Sequence, residues 1–176
     1  MIKEINGLTI ECVKGDIAQQ KDFLAVVNAA NAQLMPGGGV AGALHRAAGS
    51  GLARECESLA PIKPGEAVIT SGHNLPNKFV IHCLGPVYGR DMPSADLLAA
   101  CYRRALSLCE DNYIDSIAFP AISAGIFGYP MQEAALVAFR TIIKSSQQLR
   151  QVKRIRFVLF KEEYVRIHKN VLSGLE

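Results

Sequence analysis

The sequence predicts a three-layer α/β/α sandwich around a mixed, mostly parallel central sheet. Three observations predict it. Short β-branched runs alternate along the chain with amphipathic helical stretches. One run, Phe23-Leu24-Ala25-Val26-Val27, is apolar throughout, as a strand covered on both faces must be. No repeat, linker or low-complexity tract breaks the order, so residues 1–176 are expected to form one domain, long enough to bury a full core.

The elements follow in order. Leu8 to Val13 alternates like a half-buried strand. A helical stretch after the Gly-rich segment at 37–39 reaches Ala48. Ala67-Val68-Ile69-Thr70 and Phe79-Val80-Ile81-His82-Cys83 form a strand pair, with the turn signal Gly72-His73-Asn74-Leu75-Pro76-Asn77 between them. Leu98, Cys101, Tyr102, Ala105 and Cys109 fall on one helix face, as do Ala135, Ala138, Phe139 and Ile142. Ile117-Ala118-Phe119 and Ile155 to Phe160 complete the strands, and Glu163 to Leu172 closes the chain as a helix.

Composition narrows the function classes. Apolar residues make up 49% of the chain, and no uninterrupted apolar run approaches the ~20 residues of a membrane span. Met1 to Asn6 is too short and too polar to open a signal peptide, so a cytoplasmic protein is expected. The five cysteines, Cys12, Cys56, Cys83, Cys101 and Cys109, sit among apolar neighbours without a CxxC pair and read as buried free thiols. No metal site is expected: Cys83 beside His82 is the nearest candidate, and adjacent strand residues face opposite ways. The formal net charge of +3 and the run Lys153-Arg154-Ile155-Arg156 do not amount to a nucleic-acid surface, because no aromatics interleave the cations.

Four segments after predicted strands carry unusual residues, where open α/β sheets bind ligands. Gly15-Asp16-Ile17 is a turn whose carboxylate can accept from a ligand amine. Asn28-Ala29-Ala30-Asn31 leads into Pro36-Gly37-Gly38-Gly39-Val40, where glycine lets the backbone approach a ligand and the helix start offers amides to a phosphate. This is neither a dinucleotide fingerprint nor a Walker loop. Ser123-Ala124-Gly125-Ile126-Phe127-Gly128 is a second small-residue loop for a second phosphate, with Phe127 free to lie on a sugar. Phe160, at the last strand end, either closes the core or stacks on a base. Together these describe a pocket for a nucleotide diphosphate sugar.

Taken in order, Gly15-Asp16-Ile17, Asn28 to Asn31, Gly37 to Val40, His45-Arg46-Ala47-Ala48-Gly49 and Ser123 to Gly128 resemble the macrodomain family. The resemblance runs from about Leu8 to the final helix, and within the family the chain is similar to MacroD-type ADP-ribosyl hydrolases. Gly37 to Leu44 and Ser71 to Leu75 are also similar to coronaviral macrodomains. It implies ADP-ribose, mono-ADP-ribosylated proteins and O-acetyl-ADP-ribose as partners, with no cofactor. It also assigns roles. Asp16 and the Ile17 amide hold the adenine, and Phe160 lies against it. Gly37, Gly38, Gly39 and Val40, with Ser123, Ala124, Gly125, Ile126 and Phe127, wrap the diphosphate. Asn31 holds the distal ribose and Phe127 packs on it, while Asn28 fixes the loop.

One position departs from the MacroD pattern. Those enzymes carry Asp after the Gly-Gly-Gly-Val run, and this chain has Ala41, as coronaviral macrodomains do. The expected mechanism is therefore substrate-assisted, with the diphosphate orienting a water and Asn31 positioning the ribose. His45, one turn past Ala41, either assists proton transfer or packs locally. The alternative function is a reader that binds ADP-ribose without turnover.

Overall fold

The computed structural model describes residues 1–176. Its seven strands are β1 (Ile2–Ile5), β2 (Leu8–Lys14), β3 (Ala25–Ala29), β4 (Ala67–Ser71), β5 (Phe79–Cys83), β6 (Ser116–Phe119) and β7 (Arg154–Leu159). Its five helices are α1 (Gly39–Ala48), α2 (Ser50–Cys56), α3 (Ser94–Asp111), α4 (Met131–Ser146) and α5 (Glu162–Ser173). All strands join one sheet in the order β1-β2-β7-β6-β3-β5-β4. The five inner strands are parallel, and β1 and β4 pair antiparallel at the edges. This is the mixed, mostly parallel α/β/α sandwich that the alternation predicts.

Period-two alternation sorts the side chains into two cores. Ile155, Phe157 and Leu159 of β7 point to the layer of α3, α4 and α5, where Tyr102, Phe119, Phe139 and Phe157 cluster. There Phe119 stacks on Phe157 at 5.5 Å, and Phe139 meets Phe157 edge-on at 4.8 Å. Val158, Val80 and Val26 point the other way, onto Leu44 of α1 and Leu52 of α2. Truncating a ring such as Phe157 to alanine would cost about 3–5 kcal/mol, since the cavity could not collapse.

Three local differences from the sequence reading have physical causes. Strand β3 starts at Ala25, because Phe23 serves instead as a platform for Arg154 and Arg156, whose guanidiniums lie 4.5 and 4.3 Å from its ring centroid. Helix α2 is separate from α1 because Gly49 has φ of 82° between them. Strand β1 precedes the predicted elements and hairpins onto β2 through Asn6 and Gly7, both at positive φ.

The basic entrance to β7 is spent on ion pairs. Arg156 bridges Glu11 at 2.7 Å and Asp22 at 3.1 Å, and Arg154 also reaches Asp22 at 3.1 Å. These charges lie at the start of β7, away from its carboxyl end. All five cysteines are free and buried. Burial pushes the Cys12 and Cys101 thiols up to about 12 and Cys56 up to about 11, so they stay protonated and packed. No helix is long and apolar enough to cross a membrane.

Candidate functional site

The carboxyl ends of β2, β7, β6 and β3 open into one cavity of about 700 Å³. With strands spaced about 4.8 Å apart, these four ends span about 14 Å, a length suited to an extended ligand. Asp16, Ile17, Asn31, Gly37, Gly38, Gly39, Val40, Ser123, Ala124, Gly125, Ile126, Phe127 and Phe160 all line it. Tyr164, Gly85 and Met131 line it as well, and motif reading does not single them out.

At the β2 end, the Asp16 carboxylate accepts the Ala18 amide at Oδ1, 2.9 Å. One oxygen thus shapes the turn and the other is left for a ligand donor. At the neighbouring β7 end, Phe160 is 69% exposed and meets Tyr164 edge-to-face at 5.3 Å. The ring is therefore available as a stacking surface and is not core.

The first glycine loop leads straight into α1. Its N-cap, Gly38, has no side-chain cap, and the first turn holds no acidic residue. The positive helix end and its free amides are thus open towards the cavity. Gly42 permits this geometry: a Cβ there would overlap the Gly37 carbonyl oxygen and stand 3.3 Å from the carbonyl carbon.

The second loop is held from behind. Ser123, at φ of 65°, donates its hydroxyl to Pro86 O at 2.8 Å, and the Tyr88 amide donates to Phe127 O at 2.8 Å. A Cβ on Gly85 would strike the Ser123 side chain. The 85–88 segment therefore fixes where the amides of 124–127 point. Ile126 at the loop tip is 92% exposed.

Asn31 is committed to its own loop. Its Nδ2 donates to Met35 O at 2.8 Å, and its Oδ1 accepts the Met35 amide at 3.0 Å. One N–H and one lone pair remain for a ligand hydroxyl. Asn28 is fully buried and donates through Nδ2 to His82 Nδ1 at 3.1 Å. That bond leaves the proton on His82 Nε2, which faces Thr70 Oγ1 at 2.9 Å. Burial holds the His82 pKa down at about 3, so the ring is neutral.

Ala41 lines the cavity, but His45, one turn on, does not. It is buried with both ring nitrogens unpartnered, and burial lowers its pKa. Ala41 and Ala43 of α1 line the cavity, whereas His45 packs behind the lining. The ionisable side chains lining the cavity are therefore Asp16 and Tyr164, both at the β2–β7 end. No Lys, Arg or His lines it. No group of three or more His, Cys, Asp or Glu is placed to hold a metal ion.

A mostly parallel α/β sheet, two glycine-rich loops, and a carboxylate and an aromatic ring at neighbouring strand ends define a binding domain for an extended phosphorylated ligand. The chain belongs to the macro domain family, whose model, described as Macro domain, matches residues 27–138. An O-acetyl-ADP-ribose deacetylase of Klebsiella pneumoniae is 43% identical over 169 residues, covering 93% of this chain and 96% of that protein. The Oceanobacillus iheyensis macrodomain with ADP superposes with a TM-score of 0.94 at 41% identity, covering 99% of this chain and 95% of that one. The Trypanosoma brucei macrodomain in complex with ADP-ribose gives 0.84 at 35% identity, covering 92% of this chain and 68% of that one.

Proposed function

We propose that this chain binds ADP-ribose in the cavity and hydrolyses carboxylate esters of its distal ribose. The substrates are O-acetyl-ADP-ribose and proteins mono-ADP-ribosylated on acidic side chains. The observation that carries the proposal is the convergence of both amide loops, Asp16 and Phe160 on one cavity with no cationic side chain in its lining. The similarity to an O-acetyl-ADP-ribose deacetylase supports the acetyl substrate, and the ADP and ADP-ribose complexes of similar macrodomains support the ligand. Residues 1–176 act as one unit in this reading.

Adenine lies between Phe160 and the Asp16–Ile17 turn, and the diphosphate lies on the loops at 37–40 and 123–127. The distal ribose then reaches Asn31 at the end of β3. No protein acid or base lines that end, so the substrate supplies the proton acceptor. A water held by a diphosphate oxygen attacks the anomeric carbon of a distal ribose that carries the acyl group on that same carbon's oxygen. The new C–O bond forms as the carboxylate leaves with the bonding pair, and the phosphate oxygen takes the water proton. A carboxylate is a good enough leaving group to depart without an acid. Asn31 orients the ribose and the amide loops hold the diphosphate bent, which is positioning and electrostatic catalysis. His45 takes no proton in this scheme, since it does not reach the cavity.

The test is turnover of O-acetyl-ADP-ribose and of a Glu-linked mono-ADP-ribosylated protein by wild type and Asn31→Ala. Wild type is expected to release both products, and the variant to lose kcat more than affinity. Tight ADP-ribose binding without turnover of either substrate would make the protein a reader.

A further inference from the structure

The cavity lining lacks any cation, but a lysine stands just outside it at the Asp16 end. Lys161 follows Phe160, and its Nζ lies 5.7 Å from the Phe160 ring centroid and 5.4 Å from that of Tyr164. Both rings line the cavity. Lys161 forms no ion pair, although Glu162 and Glu163 follow it in sequence. Lys14, in register with Leu159, ends the adjacent strand and is also exposed and unpaired. Lys161 and Lys14 thus stand at the base-binding end, while Arg46 stands beside the first glycine loop.

We propose that this end is a subsite for a phosphate carried on the adenosine-side ribose of the ligand, read by Lys161. The inference rests on the ADP-ribose reading above. With adenine against Phe160 and the diphosphate on the two loops, the first ribose lies over the end of β7, alongside Phe160 and Tyr164. Phe160 is open to solvent there, which leaves room for a substituent on the ribose. The two rings hold the Lys161 ammonium within cation–π range, so little freedom is lost when an anion arrives. A terminal 2′-phosphate places its charge there directly, whereas the next unit of an ADP-ribose chain adds a ribose first and its phosphates further out, so the oligomer is a separate arm of the test.

Calorimetry on the full chain tests this with ADP-ribose, ADP-ribose 2′-phosphate and a two-unit ADP-ribose oligomer, on wild type, Lys161→Ala and Lys161→Glu. Wild type should bind the 2′-phosphate at least as tightly as ADP-ribose. Lys161→Glu should weaken the phosphorylated ligand about tenfold and ADP-ribose less than about twofold, with Lys161→Ala between them. Added salt should weaken the phosphorylated ligand alone. A matching loss for the oligomer extends the subsite to chains, and an unchanged oligomer limits it to the terminal phosphate. Rejection of the 2′-phosphate by wild type, or equal losses for both monomeric ligands in Lys161→Glu, would overturn the proposal. Failure of wild type to bind ADP-ribose itself would refute the underlying reading, and the subsite with it.

Discussion

Substituting Gly42 by alanine separates the diphosphate cradle from the helix that carries it. Two effects oppose each other. Alanine is the better helix former by about 1 kcal/mol, which favours the variant. Against that, the added methyl overlaps the Gly37 carbonyl and comes 3.0 Å from Arg46 Nη1. The arginine end can swing away, but the carbonyl belongs to the loop itself. That loop must retreat by about 1 Å to restore ordinary van der Waals contact. Overpacking of this kind costs about 1–3 kcal/mol, so the net change in stability is small, from about 0 to 2 kcal/mol. Ligand binding has no compensating gain. An amide moved by that distance loses a charge-assisted bond worth about 1.5–3 kcal/mol, or roughly 10- to 150-fold in Kd. Calorimetry with ADP-ribose, beside a urea melt, reads both quantities. A Gly42→Ala protein that binds ADP-ribose within twofold of wild type would refute the assignment of this loop to the diphosphate.

Two further predictions follow from other parts of the molecule. Asp16→Asn keeps an oxygen for the Ala18 amide, so the turn should survive, but affinity for ADP-ribose should fall by about 1–3 kcal/mol as the ligand amine loses its acceptor. Unchanged calorimetric affinity would remove Asp16 from the site. Stability should fall on acidification: the pKa values of His82, His45 and His168 are lowered by burial, His82 to about 3. The unfolded chain binds these protons first, so stability is complete above about pH 6.5 and is lost below it, by about 1 kcal/mol per pH unit for His82 alone. Urea midpoints that stay level from pH 7.5 to 5.5 would contradict the buried neutral histidines.

Much of the fold was legible because its signals are local. The apolar run before Asn28 and the helix faces at 98–109 and 135–142 each follow one period, and each forms the element that period predicts. Strand β1 was less legible, since only alternate residues are half-buried, yet Asn6-Gly7 between Ile5 and Leu8 is the hairpin signal that marks it. The cavity lining was legible at the glycines and the carboxylate that follow strand ends. Tyr164 was not, because its approach to Phe160 depends on the chain turning at Lys161 from strand into helix, which no spacing rule encodes. Gly85 was hidden for a related reason: its constraint comes from Ser123, distant in sequence. For His45, spacing along the helix gives its face and not where the cavity stops.

The most direct test of the central claim is an amide NMR titration with ADP-ribose. Saturable shifts are expected at Ile17, Gly37 to Val40, Ser123 to Phe127 and Phe160, with the basic entrance at Lys153 to Arg156 unmoved. Shifts confined to other surfaces, or no saturation at millimolar ligand, would contradict that claim.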